Sequence, residues 1–306
     1  MNLFLRSDLE TIDIYDCGKV DDYIRIFSVV PNVQNLNLRN AGQFKDEVID
    51  YIMERDSNLK NLQLEAANLV TNDKWMQFFM KCGELLESLK LSWLDYSMDD
   101  VAFRLVSSAG SRLRTLSLEG FTDADDEVLS NMHTACTQLN KLRFTENDTC
   151  TDEGFAALFT EWSNPPLAFI DLSSNRSVDY SAPDGPDEPV GLASKGFEAL
   201  MNHSGSRIER LDISSCRHIT YESFSNIFNG KKQYPCLKDV NISFQTKVDT
   251  SIVAGMFRSC PVLIKVTAFG CFNVVDVAVP KGVALIGVPN AQDALVKEGD
   301  LDADLW

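Results

Sequence analysis

Cys216 and His218 stand two residues apart in LDISSCRHITYESFSNIF, residues 211–228. A C-x-H pair of these types could be a piece of an active site or half of a zinc site, because thiolate sulfur and imidazole nitrogen are both good ligands for that ion. A metal site needs further cysteines or histidines at ligand spacing, and none accompany this pair. The remaining histidines, His133 and His203, fall in predicted helix ends or turns, as His218 does, so general acid–base catalysis has few candidates. The phosphate-loop pattern G-x-x-x-x-G-K-[ST], the zinc-hydrolase pattern H-E-x-x-H and the nucleophile elbow G-x-S-x-G do not occur in the chain. The residues therefore point away from an enzyme, with no catalytic residue, no metal and no cofactor expected.

The neighbours of Cys216 explain it better. An L-x-x-L-x-L register recurs ten times, as LETIDI from Leu9, VQNLNL from Val33, LKNLQL from Leu59, LESLKL from Leu86 and LRTLSL from Leu113, then LNKLRF from Leu139, LAFIDL from Leu167, IERLDI from Ile208, LKDVNI from Leu237 and LIKVTA from Leu263. The steps are 24, 26, 27, 27, 26, 28, 41, 29 and 26 residues, the period of a leucine-rich repeat with one insertion. Each unit alternates apolar and polar residues as a half-buried strand does, and a segment with helical spacing follows it. Neither element can bury its apolar face alone, so copies stack. The expected fold is an α/β leucine-rich-repeat solenoid, a ribonuclease-inhibitor-like horseshoe of about ten repeats with a parallel concave sheet and outer helices.

Counting each unit from its first residue, position nine holds Cys17, Ala41, Ala67, Leu94, Phe121, Asn147, Asn175, Cys216, Gln245 and Cys271. At this site leucine-rich repeats use Asn or Cys to satisfy the backbone as the strand turns inward. Cys82, Cys136, Cys236 and Cys260 precede the next strand unit, a second cysteine site, and Cys150 alone stands outside the pattern. Cys216 is thus expected to pack.

The charge has a local origin as well. Against 28 Lys and Arg stand 45 Asp and Glu, a formal net charge of −17 that repels a phosphate backbone at long range and favours a protein partner. Fifteen of the carboxylates sit at or near predicted helix starts, where the helix dipole favours them, with Thr71, Thr122, Thr151 and Thr220 as expected caps. The start of the chain carries Arg6, Asp8 and Glu10 where a secretory signal would be apolar, and no run of eighteen uncharged apolar residues spans a membrane. Cytosol or nucleus is the expected compartment.

These features divide the chain into a solenoid over 1–271 with an insertion loop at 176–195, a capping hairpin at 272–290 around Pro280-Lys281-Gly282, and an acidic flexible tail at 291–306. Only eight residues precede the first unit, too few to cover an open repeat face, so either a longer chain or another subunit is expected there.

What remains for function is a surface. Positions three, five and seven of each unit point away from the core. Position three reads Lys141, Phe169, Arg210, Asp239, Lys265 and position five Arg143, Asp171, Asp212, Asn241, with Phe269 at a seventh position and Trp93 at an eighth. Exposed aromatics beside arginines make binding hot spots, so Trp93, Lys141, Arg143, Phe169, Arg210 and Phe269 are the candidate partner-binding residues. Arg143 beside Asp171 and Phe169 beside Arg210 serve equally as cross-strand pairs that solubilise the sheet. Direct nucleic-acid binding through Lys141, Arg143, Arg210 and Lys265 and a ribonuclease-inhibitor-like role against a basic enzyme also fit this surface.

The cysteine-containing repeats LDISSCRHITYESFSNIF…CLKDVNIS resemble those of F-box leucine-rich-repeat proteins, and CFNVVDVAVPKGVALIGVPNAQDALVKEGD at 271–300 resembles the C-terminal end of the fungal nucleotide-excision-repair proteins of the Rad-seven family. The second resemblance implies a nuclear, non-catalytic repeat subunit in global-genome repair. It also implies partnership with a Snf-two-type ATPase and with an elongin C and cullin ubiquitin ligase. Members carry a longer N-terminal region with the ligase-recruiting box, whereas this chain begins inside the first repeats. The first resemblance implies instead an F-box substrate receptor of a cullin ligase.

Overall fold

The computed structural model describes residues 8–55, 58–94, 106–122, 124–175 and 190–288. They form two compact units, Met1–Leu139 and Asn140–Trp306. In the first, β1 (Thr11–Tyr15), β2 (Asn35–Arg39), β3 (Asn61–Glu65), β4 (Ser88–Ser92) and β5 (Thr115–Glu119) pair in sequence order, all parallel. In the second, β6 (Lys141–Thr145), β7 (Phe169–Asp171), β8 (Arg210–Asp212), β9 (Asp239–Asn241), β10 (Lys265–Thr267) and β11 (Ala284–Ile286) do the same. Helices follow the strands, among them Asn72–Cys82 in the first unit and Asp152–Phe159, Ser194–Ser204, Tyr221–Ile227 and Thr250–Ser259 in the second.

The alternation read from the sequence is the alternation of burial. Leu142, Phe144, Ile170, Leu172, Leu211, Ile213, Val240, Ile242, Val266 and Ala268 at positions four and six are all sealed from solvent. Position eight is left-handed in every repeat: Asp16, Asn40, Ala66, Trp93, Gly120, Glu146, Ser174, Ser215, Phe244 and Gly270 all have positive φ. That reversal ends the strand and swings position nine inward, and all ten position-nine residues are buried. Position twelve closes the turn with a second apolar row, Phe44, Val70, Ile219, Val248 and Val274. Cys150 occupies the same place in its repeat, fully buried, so it belongs to the pattern after all.

Position nine does what its residue types predict. Asn175 Nδ2 donates to the Phe144 and Leu172 carbonyls at 2.6 and 3.0 Å, and its Oδ1 accepts the Asn147 N–H at 3.2 Å. The Cys216 thiol donates to the Leu172 carbonyl at 3.0 Å and Cys271 to Ile242 at 3.1 Å. Burial raises the Cys271 thiol above its usual range, which keeps it a protonated donor.

The helix starts follow a rule beyond the local dipole. Thr71, Thr151 and Thr220 cap their helices as expected, but Asp125 rather than Thr122 caps Asp126–Ala135, accepting the Glu127 N–H at 2.9 Å from the position next to the first turn. Asp46 and Asp152 reach into the following repeat. Asp46 accepts the backbone N–H and the hydroxyl of Thr71, each at 2.8 Å. Asp152, buried, accepts the N–H groups of Ala193, Lys195 and Gly196 at 2.8, 3.0 and 2.8 Å, satisfying the start of the next helix.

The hairpin expected at 272–290 is replaced by a single strand. The run before Pro280 forms no strand, and β11 adds to β10 in parallel, with Ala284 N–H donating to the Ile264 carbonyl at 2.8 Å. The chain thus offers β10 another rung, and the turn at Pro280, closed by the Val283 N–H at 3.1 Å, delivers it in the orientation of the earlier ones. Of the insertion, 176–189 lie outside the described residues, as does the tail at 291–306. Its end returns onto the preceding repeat, where Val190 bridges Thr151 and Gly191 N–H donates to the Cys150 carbonyl at 2.7 Å.

The Asn175→Ala variant would remove the side-chain partners of the buried Phe144 carbonyl and Asn147 amide and leave the Leu172 carbonyl to the Cys216 thiol alone. It is expected to lose about 3 kcal/mol in urea unfolding, and a loss within experimental error would show that position nine is not holding the turn.

Candidate partner-binding face

In the second unit the odd strand positions form a polar, partly exposed surface. Lys141 lies with its Nζ 4.6 Å from the centroid of the Phe169 ring, a cation–π contact across β6 and β7. Arg143 Nε is 3.2 Å from Asp171 Oδ2. On the next rungs Asp239 Oδ2 receives Lys265 Nζ at 2.6 Å and Arg210 Nε at 3.9 Å. The Arg143–Asp171 pair is as the sequence suggested. Phe169 takes Lys141 as its cation, while Arg210 turns to Asp239 on the opposite side.

Position five carries a second device. Asp171, Asp212 and Asn241 each accept the backbone N–H two residues on, from Ser173, Ser214 and Ser243, at 3.0, 3.0 and 3.1 Å. Asn241 Nδ2 also donates to Asp212 Oδ2 at 2.7 Å. These side chains tie the ends of β7, β8 and β9 to their turns.

Phe269 and Trp93 are half exposed, and both rest on a glycine of the following rung. A Cβ on Gly120 would come within 2.9 Å of the Trp93 ring, and one on Gly287 within 2.7 Å of the Phe269 ring. Phe244, not among the six candidates, repeats this arrangement: it is half exposed, and a Cβ on Gly270 would lie 2.6 Å from its ring. The signal was legible, since Trp93 and Phe244 share position eight and Gly120 and Gly270 occupy that position one repeat later. Trp93 stands in the first unit and the other five candidates in the second. His218 is half-buried, and burial with the adjacent Arg217 charge lowers its pKa, favouring the neutral ring. Among the described residues no group of three or more His, Cys, Asp or Glu side chains could hold a metal ion.

No protein-family profile matches the chain. It is 25% identical to the DNA repair protein rhp7 of Schizosaccharomyces pombe across 88% of its own length and 55% of that protein's. It is 25% identical to the DNA repair protein RAD7 of Saccharomyces cerevisiae across 94% of its length and 59% of that protein's. The chain is homologous to the Rad7 and Rhp7 DNA repair proteins. It spans less than three-fifths of the length of either. The F-box protein SKIP19 of Arabidopsis thaliana is 26% identical across 71% of the chain and 70% of that protein. In fold, the chain resembles the crystal structure of the Rad7 and Elc1 complex in yeast, with a TM-score of 0.58 and 22% identity over 93% of this chain and 82% of that one. The fold is that of leucine-rich repeats, as the L-x-x-L-x-L register of the sequence requires.

Asp171 gives this face a pH signature. Burial raises its carboxyl to about 6 and the neighbouring Asp212 charge pushes the same way, against the Ser173 hydrogen bonds and the Arg143 charge. The folded chain therefore holds a proton that the unfolded chain releases near 3.8, so this group's contribution to stability falls as pH rises from about 4 to about 6. Urea unfolding across this range should show that component in the wild type and lack it in Asp171→Asn. An unchanged slope in the variant would refute the assignment.

Proposed function

We propose that the chain is the repeat portion of a non-catalytic interaction scaffold in nuclear nucleotide excision repair, working with a ubiquitin ligase. On this reading it engages an Elc1-type (elongin C) and cullin ligase and a Snf-two-type repair ATPase. The ladder of Lys141, Arg143, Phe169 and Arg210, with Phe269 at its end and Trp93 in the first unit, supplies partner contacts. The observation that carries the proposal is the likeness to two fungal DNA repair proteins over nearly the whole chain. The sealed interior agrees with it: the cysteines at positions nine and twelve are spent on packing, and the accessible chemistry lies on strand faces and rims. A solenoid of this kind recognises partners by surface complementarity.

The likeness to SKIP19 favours a second reading, an F-box-type substrate receptor of a cullin ligase. Affinity purification of the full-length native protein followed by mass spectrometry separates the two. Recovery of a Snf-two-type ATPase with elongin C is expected. Recovery of Skp-one and cullin-one in their place would establish the second reading, and recovery of neither set would overturn both.

A further inference from the structure

The rim where the last repeats leave their strands differs from the rest of this acidic chain. Positions seven to twelve of repeats eight, nine and ten, residues 214–219, 243–248 and 269–274, contain no Asp or Glu, whereas five of the other seven repeats carry a carboxylate in the same six positions. Three phenylalanines stand there in solvent: Phe244 is 49% exposed, Phe269 51% and Phe272 88%. The first two are linked through the backbone, with Phe244 N–H donating to the Phe269 carbonyl at 2.6 Å, and each packs against a glycine, Gly270 or Gly287, while staying half exposed.

The same three segments carry two exposed cations, Arg217 at position ten of repeat eight and Lys247 at position eleven of repeat nine. Three lysines elsewhere on the surface are matched, Lys74 by Asp50, Lys195 by Glu153 and Lys238 by Glu209, whereas others, such as Lys60 and Lys231, have no ion pair among the described residues. Among the described residues neither Arg217 nor Lys247 has an ion-pair partner. Asp249, two residues from Lys247, is occupied as a helix cap, accepting the Ile252 N–H at 3.1 Å and the Ser251 hydroxyl at 2.7 Å. An apolar cluster with unmatched positive charge on a chain of net charge −17 is a local inversion of the surface.

We infer that this rim docks a short acidic segment of a partner protein, extended across repeats eight to ten, whose aliphatic or aromatic side chains pack on Phe244, Phe269 and Phe272 while its carboxylates meet Arg217 and Lys247. The inference rests on the scaffold reading above and deepens it by naming the chemistry of one partner. Charge complementarity selects the acidic segment, and exposed rings seated on glycine give it anchors that need no rearrangement. Nucleic acid fits less well. Duplex binding gains from neutralising many phosphates, and two cations beside three apolar rings supply few such contacts against the field of the whole chain.

The test uses the full chain and a fluorescein-labelled peptide of about ten residues, long enough to cross three strands, that alternates glutamate with leucine and phenylalanine. Fluorescence anisotropy at low salt should show saturable binding. Binding should weaken at least tenfold in the double variant Arg217→Glu, Lys247→Glu, and separately in Phe272→Ser, whose side chain is too exposed to hold the fold together. Lys238→Gln, at position two near the opposite end of its strand, should bind as wild type does. A peptide with lysine in place of glutamate should not bind. Absence of saturable binding, equal affinity in the rim variants, or an oligonucleotide that binds through these residues while the acidic peptide does not would each overturn the inference. Because peptide binding is read on the isolated chain and ligase recovery on the native complex, failure of this docking site is distinguishable from failure of the repair assignment.

Discussion

The structure depends on one constraint: every strand must end by turning its chain into the core without stranding backbone polar groups there. Each repeat meets it in two steps. A left-handed residue at position eight reverses the chain, and the position-nine residue, small or hydrogen-bonding everywhere except at Leu94 and Phe121, follows it into the interior. In the second unit the solution becomes a relay, with Asn175 serving the Phe144 and Leu172 carbonyls and Cys216 sharing the Leu172 carbonyl from the next repeat. A buried carbonyl left without a donor costs about as much as a good core contact contributes, so this site tolerates little change. The cysteine that first resembles an active-site fragment is one member of this row.

The same constraint explains where function is left room. In repeats seven to nine position five is consumed by its own strand end, because Asp171, Asp212 and Asn241 cap the N–H groups two residues on. Carboxylates at helix starts are consumed too, and Asp46 and Asp152 bind across to the following repeat rather than merely sitting in a favourable dipole. Position three and the rim remain. Even there Asp239 draws Arg210 and Lys265 inward, which leaves the rings and cations of repeats eight to ten as the part of the surface least engaged with the protein itself.

The repeat, the strand positions and the inward row were legible in the sequence because each is a periodic property: a spacing of about one repeat and an alternation of two within it. The partners chosen by Phe169 and Arg210 were not. Position three offers each side chain a neighbour on both sides, and side-chain reach rather than register decides between them. Asp125 displaced Thr122 as a cap for a similar reason, since two capping residues stood close together and only the backbone selects one. The strand at Ala284–Ile286 joins β10 in parallel where the sequence suggests half of a hairpin, because a proline-glycine turn between apolar runs has the same local chemistry in both arrangements. Cys150 and Phe244 are periodic as well, at positions twelve and eight of their repeats.

Hydrogen–deuterium exchange on the chain alone and within the complex it forms in the cell tests the central claim most directly, that recognition lies on strand faces and rims rather than in an enclosed site. Protection on complex formation should concentrate at 214–219, 243–248 and 269–274 and along the odd positions of β6 to β10. Protection confined to the helices Ser194–Ser204 and Thr250–Ser259, with the rim exchanging as it does in the free chain, would contradict it.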